Sequence, residues 1–142
     1  MSTSAKELIA QLRTKIPELS VEQAKEKVES GVKIIDVREA DEFRQGHIPG
    51  ARFIPRGFLE LKIEDFASDR DEEILLYCAG GSRSLFAAQN LTQMGYRNVS
   101  SLRGGFTRWK DSGHPVVIPE VLTESQRKRY DRRQQSRPIP KS

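Results

Sequence analysis

The longest unbroken apolar run in the chain is Ile74-Leu75-Leu76-Tyr77-Cys78-Ala79, and it gives way at once to Gly80-Gly81-Ser82-Arg83-Ser84. Six residues are far short of the ~20 that a membrane helix needs. A short apolar run closed by turn residues reads as a buried strand, here Ile74 to Tyr77. The next segment is helical: Ala87, Leu91 and Met94 repeat at i, i+4, i+7 from Ser84 until Gly95. The chain therefore contains a buried strand that turns through two glycines into a helix.

The same alternation runs through the rest of the sequence. A short helix is expected over residues 4–13, with Ser4 as N-cap and Leu8, Ile9 and Leu12 on one face. After a turn at Ile16-Pro17, Ser20 opens a second helix with Gln23 at capping-box spacing, and Gly31 stops it. Val32 to Val37 reads as a buried strand, Glu39 to Arg44 as a helix, and Gly46 to Gly50 as a turn. Arg52-Phe53-Ile54 is a short strand stopped by Pro55. Leu59 to Phe66 is a helix, Asn98 to Leu102 a strand and Phe106 to Lys110 a short helix. Strands alternating with helices at short spacing specify an α/β domain with a mainly parallel sheet and helices on both faces.

Charge is unevenly distributed. Residues 1–118 carry 17 Lys/Arg and 17 Asp/Glu, whereas residues 119–142 carry 7 Lys/Arg and 3 acids, so the net +4 lies entirely in the tail. A nucleic-acid reading would rest on that tail alone and is disfavoured. Its composition, with Tyr130 as the one aromatic, predicts a solvated terminus, or else a segment that docks a protein partner. One cysteine forbids an internal disulfide, and Cys78, His47 and His114 are too dispersed for a structural zinc site. No signal-peptide pattern opens the chain, so a cytoplasmic domain without cofactor or metal is expected.

Cys78 stands where the strand ends, at the edge of a parallel sheet where ligands bind. Gly80-Gly81 lets the loop curl, and a curled loop entering a helix turns several backbone N–H groups toward one point. Inward amides, the helix dipole and Arg83 all favour a thiolate, making Cys78 a candidate nucleophile for an anionic substrate. The plainer alternative is a small buried residue ending a strand.

This loop resembles the active-site loop of single-domain rhodaneses, Cys-x-x-Gly-x-Arg-Ser. Ile35-Asp36-Val37-Arg38, Glu42-Phe43 and Gly46-His47-Ile48-Pro49-Gly50-Ala51 look like the N-terminal signature of that family. Leu102-Arg103-Gly104-Gly105-Phe106 with Trp109 looks like its C-terminal signature. The resemblance covers residues 18–118, leaving a helical extension at 1–17 and the basic tail at 119–142. It implies a rhodanese-like fold with a five-stranded parallel sheet. It also implies a sulfurtransferase in which Cys78 takes sulfane sulfur from a small anionic donor such as thiosulfate and passes it to a thiophilic acceptor. The amides of Ala79, Gly80, Gly81, Ser82, Arg83 and Ser84 would cradle the transferred sulfur, and Arg83 would attract the donor.

The remaining motif residues have structural readings. Arg38 is expected to pair with Glu42 four residues on, with Asp36 to Arg83 as a further possible pair. His47 is expected to fix a turn through its ring nitrogens rather than act as acid or base. Gly104-Gly105 is expected to allow a tight turn or a close backbone approach. Trp109 is expected to be a core or lid aromatic, and Arg56 and Arg103 are candidate rim residues. Two rivals stand beside sulfur transfer. Related phosphatases and arsenate reductases have one residue more between Cys and Arg than the four found here, and non-catalytic binding modules of this type typically lack the cysteine. In the tail, Leu122 to Arg127 with Arg129-Tyr130-Asp131-Arg132 faintly resembles the opening of adenylyltransferases that activate sulfur carriers. That likeness suggests a sulfur-carrier partner.

Overall fold

The structure, a computed structural model, describes residues 2–134. Five strands, β1 (Glu18–Leu19), β2 (Lys33–Asp36), β3 (Arg52–Phe53), β4 (Ile74–Tyr77) and β5 (Val99–Leu102), form one parallel sheet in the order β1-β5-β4-β2-β3. Seven α-helices accompany them among the described residues: α1 (Ala5–Lys15), α2 (Val21–Glu29), α3 (Ala40–Gln45), α4 (Leu59–Phe66), α5 (Arg83–Gln93), α6 (Gly105–Asp111) and α7 (Glu124–Gln134). The α/β reading with a parallel sheet holds. Its fifth strand, β1, was not among the expected elements. None of these helices is long and apolar enough to cross a membrane.

Local chemistry places the helices. Ser4 and Ser20 each accept a hydrogen bond from the amide three residues on, at 3.1 Å in both cases, and the side chains of Glu7 and Gln23 return the bond to the cap amide. Both capping boxes satisfy N–H groups that the first helical turn leaves open.

The sheet divides the interior by strand periodicity, since alternate side chains point to opposite faces. On one face Ile35, Val37, Ile74, Leu76 and Cys78 join Leu12, Leu59, Ile63, Leu85 and Leu91 from α1, α4 and α5. On the other, Ile34, Leu75 and Tyr77 join Val21, Ala24, Ile48 and Trp109 from α2, α6 and the 46–50 turn. Register carries this across strands: Ile35 lies beside Leu76 and Asp36 beside Tyr77. Leu12 and Ile16 belong to the first cluster, so α1 is part of the folded body.

The described part of the tail is a helix seated on the domain, yet it stays largely solvated, with no buried residue in α7. Residues 124–134 form α7, which docks beside β3. Tyr130 supplies the contact: its hydroxyl meets His47 Nε2 at 3.1 Å while the ring lies 5.4 Å from the imidazole. Gln134 adds two backbone contacts, donating to the Ala51 carbonyl at 2.8 Å and accepting from the Phe53 amide at 3.4 Å. Arg127 also donates to the Pro119 carbonyl, so one aromatic, one amide and one guanidinium seat an otherwise exposed helix. Arg137 and Lys141 lie outside the described residues.

Candidate active site

Cys78 directly follows β4, packs in the cluster that holds Leu85 and Leu91 of α5, and is 1 % exposed. The chain then curls, and the Gly81 and Ser84 amides donate to Sγ at 3.1 and 3.4 Å. Gly81 has φ +102°, in the left-handed region that favours glycine. Two amides from opposite ends of the loop thus converge on one sulfur. The 11-residue helix α5 starts at Arg83, adding the positive end of its dipole.

A hydroxyl pair completes the surroundings of the sulfur. Ser84 Oγ lies 3.5 Å from Sγ and 2.7 Å from Ser101 Oγ, and both serines are fully buried. Ser101 comes from the neighbouring strand β5. If its hydroxyl donates to Ser84, the one Ser84 hydrogen has two acceptors within reach, the Gly81 carbonyl at 3.3 Å and the sulfur at 3.5 Å. Sequence reasoning missed Ser101; the available signal was Ser100-Ser101, two polar residues inside a strand that has to be buried.

The loop is held from behind by α6. Phe106 N–H donates to the Cys78 carbonyl at 2.8 Å, and Thr107 N–H to the Ala79 carbonyl at 3.1 Å. These bonds fix the first two peptides of the loop that brings the Gly81 amide to the thiol. Gly105 permits the approach: at φ +61°, a Cβ there would stand 2.5 Å from both the Cys78 and Ala79 carbonyl oxygens. The close backbone approach expected at Gly104-Gly105 is therefore made onto the Cys78 loop itself.

The charged residues are partnered differently from the sequence reading. Arg38 pairs with Asp36, not Glu42. Its Nη2 and Nε reach Oδ2 at 2.8 and 3.1 Å, its Nε and backbone N–H reach Oδ1 at 3.0 and 2.9 Å, and Nη2 also donates to the Gly46 carbonyl at 2.7 Å. Residues two apart at a strand end share a face, and Arg38 precedes α3, so the helical i,i+4 spacing never applies. The guanidinium also lies 4.4 Å from the Phe106 ring centroid. Arg83 pairs with Glu42 rather than Asp36, through Nη1–Oε1 at 2.9 Å and Nη2–Oε2 at 3.1 Å. The hydrogen bonds from Arg83, helped by the Glu39 amide, hold the Glu42 carboxyl at about 2. Arg83 is raised in turn, first by its bond to Glu42.

His47 fixes a turn. Nδ1 lies 2.9 Å from the Ile48 carbonyl, the ring stacks on Phe43 at 3.9 Å, and the backbone bridges Val117. Burial lowers its pKa. None of these partners belongs to the Cys78 loop. Trp109 is a core residue, 1 % exposed, with Nε1 donating to the Pro115 carbonyl at 2.7 Å. Arg56 lies 5.0 Å from the ring centroid of Phe86 on α5, and Arg103 reaches Glu18 at 3.8 Å.

Residues 20–112 match the family model described as a rhodanese-like domain. The chain belongs to the rhodanese-like family. A sulfurtransferase from Allochromatium vinosum is 38 % identical over 89 residues, 63 % of this chain and 81 % of the relative. Thiosulfate sulfurtransferase 18 from Arabidopsis thaliana is 33 % identical over 133 residues, 84 % of this chain and 90 % of the relative. Among solved structures, a Rhodopseudomonas palustris protein of unknown function, described as a possible tyrosine phosphatase, superposes with a TM-score of 0.74. It is 32 % identical, and the match covers 82 % of this chain and 96 % of that one. Within this rhodanese-like domain, the three motif segments converge: Cys78 to Ser84 at the sulfur, Gly104 to Phe106 behind it, and Glu42 beside it through Arg83.

Proposed function

We propose that this domain is a sulfurtransferase that carries sulfane sulfur as a persulfide on Cys78. The observation that carries the reading is the convergence of the Gly81 and Ser84 amides on a single sulfur atom inside a loop with only four residues between Cys78 and Arg83. Preorganised donors stabilise negative charge on that sulfur without rearrangement during transfer. In the first half-reaction the Cys78 thiolate attacks the sulfane sulfur of a donor such as thiosulfate. A new S–S bond forms, the bond to the sulfonate sulfur breaks, and sulfite leaves with the electron pair. In the second, a thiophilic acceptor such as cyanide attacks the terminal sulfur, and the thiolate departs. The remaining amides from Ala79 to Ser82 are the donors available to the terminal sulfur. The thiosulfate sulfurtransferase names of relatives support this donor class. A Bacillus subtilis relative named a putative sulfur carrier protein supports a protein acceptor.

Phosphoryl transfer is the second reading, favoured by the description of the Rhodopseudomonas palustris neighbour. Intact mass spectrometry separates the two. Thiosulfate treatment is expected to add the mass of one sulfur atom, cyanide to remove it, and Cys78→Ser to abolish both steps. Cys78-dependent hydrolysis of aryl phosphates without any sulfur adduct would overturn the proposal.

A further inference from the structure

We infer that Glu42 is a specificity-determining residue: by engaging the Arg83 guanidinium at two points, it screens small anionic reagents from the positive charge beside Cys78. The inference rests on the reading of Cys78 as a nucleophile, and it changes which substrates that nucleophile meets.

Arg83 is the one cation of the loop and stands at the first position of α5. It is the residue next to Ser84, whose amide and hydroxyl stand 3.4 and 3.5 Å from Sγ, so its backbone lies beside the sulfur that a reagent approaches. Both terminal nitrogens donate to Glu42, which takes two of the five guanidinium N–H groups and sets a negative charge against them. The carboxylate is itself anchored, because Oε1 also accepts the Glu39 amide at 3.0 Å. The pair therefore joins two fixed points, α3 and the start of α5. Arg38 cannot compete for Glu42, since Asp36 holds it by three guanidinium contacts. Asp36–Arg38 and Glu42–Arg83 are thus two separate pairs, with Glu39 a further acid at the start of α3.

A small anion reaching Cys78 then meets a guanidinium already neutralised and a carboxylate of its own sign. It reaches Arg83 only through the N–H donors that Glu42 leaves open, and against the repulsion of that carboxylate. An uncharged reagent faces no such contest. A donor carried on a partner protein depends less on Arg83, because its contact area supplies binding elsewhere. The arrangement weakens the pull of Arg83 on small anions such as thiosulfate, which remain donors at a raised KM, and leaves uncharged or protein-borne sulfur donors unpenalised.

Alkylation of Cys78 tests this without sulfur chemistry. The same thiolate displaces iodide from iodoacetate and from iodoacetamide, which differ in charge, so their rate ratio cancels access and thiol reactivity. Glu42→Gln keeps an acceptor for the Glu39 amide and removes the charge. It is expected to raise the iodoacetate-to-iodoacetamide ratio about three- to fivefold, the size of a partly exposed ion-pair effect. The KM for thiosulfate is expected to fall with less change in kcat. Adding Arg83→Ala to Glu42→Gln is expected to cancel the gain, as coupled residues require. If Glu42→Gln loses the fold, Glu42→Asp, too short to keep both contacts, is expected to shift the ratio in the same direction. An unchanged ratio in the folded variant, or a rise that persists without Arg83, would overturn the inference. A shifted ratio in a protein that accepts no sulfur from any donor would uphold the role of Glu42 and remove the sulfurtransferase reading instead.

Discussion

The loops that leave β2 and β4 start from adjacent positions, Asp36 beside Tyr77, and hold themselves together with different atoms. After β2, side chains close the loop: the Asp36 carboxylate gathers the Arg38 amide and guanidinium, and Arg38 reaches on to Gly46. Its polar groups are turned inward on the α6 face and answer one another. After β4 the backbone takes that role: carbonyls go to α6 and amides to one sulfur. The first loop leaves no reactive group over. The second keeps a nucleophile at the focus of its donors. A closed charge network gives rigidity, whereas a curled backbone gives directed donors with little side-chain bulk.

Three experiments sharpen this contrast. The largest effect is expected from Asp36→Asn, which leaves the buried Arg38 guanidinium without its counter-charge. Breaking one side of a buried pair costs about 3–5 kcal/mol, measurable by urea unfolding. If the contrast is right, alkylation of Cys78 in the folded fraction changes little; a drop beyond about tenfold would show that the two loops act as one unit. Next is Gly105→Ala. Its Cβ would sit 2.5 Å from two carbonyl oxygens of the Cys78 loop, so a loss of about 2 kcal/mol or more is expected, with sulfur loading reduced in the folded protein. Normal loading would mean that the α6 contact does not shape the loop.

The smallest effect lies in acid. The Glu42 carboxyl is lowered from 4.5 to about 2 by its hydrogen bonds from Arg83. A lowered carboxyl stabilises the fold above its unfolded pKa, and that contribution disappears as pH falls from 4.5 toward 2. Both side chains are about a third exposed, so solvent screening limits the contribution to about 1 kcal/mol or less. Wild type and Glu42→Gln are therefore expected to differ slightly in unfolding free energy at neutral pH and to converge in acid. A difference that grows on acidification would assign Glu42 another partner.

Much of this was legible in the chain. Apolar runs marked β2 and β4, an N-cap serine marked α1 and a capping box α2, and Gly80-Gly81 after a strand marked the nucleophile loop. What escaped depends on tertiary register. β1 is two residues, too short for any period to show. The close approach of Gly105 was readable, but not its target, because only the packing of α6 against the β4 edge selects Cys78 and Ala79. The Arg38–Glu42 pairing failed because a helical spacing was applied to a residue outside the helix. Composition alone hid the seating of α7, which depends on where Tyr130 meets one buried imidazole.

The clamp from α6 also has a consequence in time. A chain made from its N-terminus exposes Cys78 and the start of α5 before β5 and α6 exist. Until Ser101, Phe106 and Thr107 have emerged, the thiol lacks its hydroxyl neighbour and the loop carbonyls lack their donors. β1 waits as well, because Glu18 pairs with Ser101 across most of the domain. Closing so long a separation comes late in folding. The nucleophile is thus assembled among the last features of the molecule, and a nascent chain arrested before β5 would carry the cysteine without its completed environment.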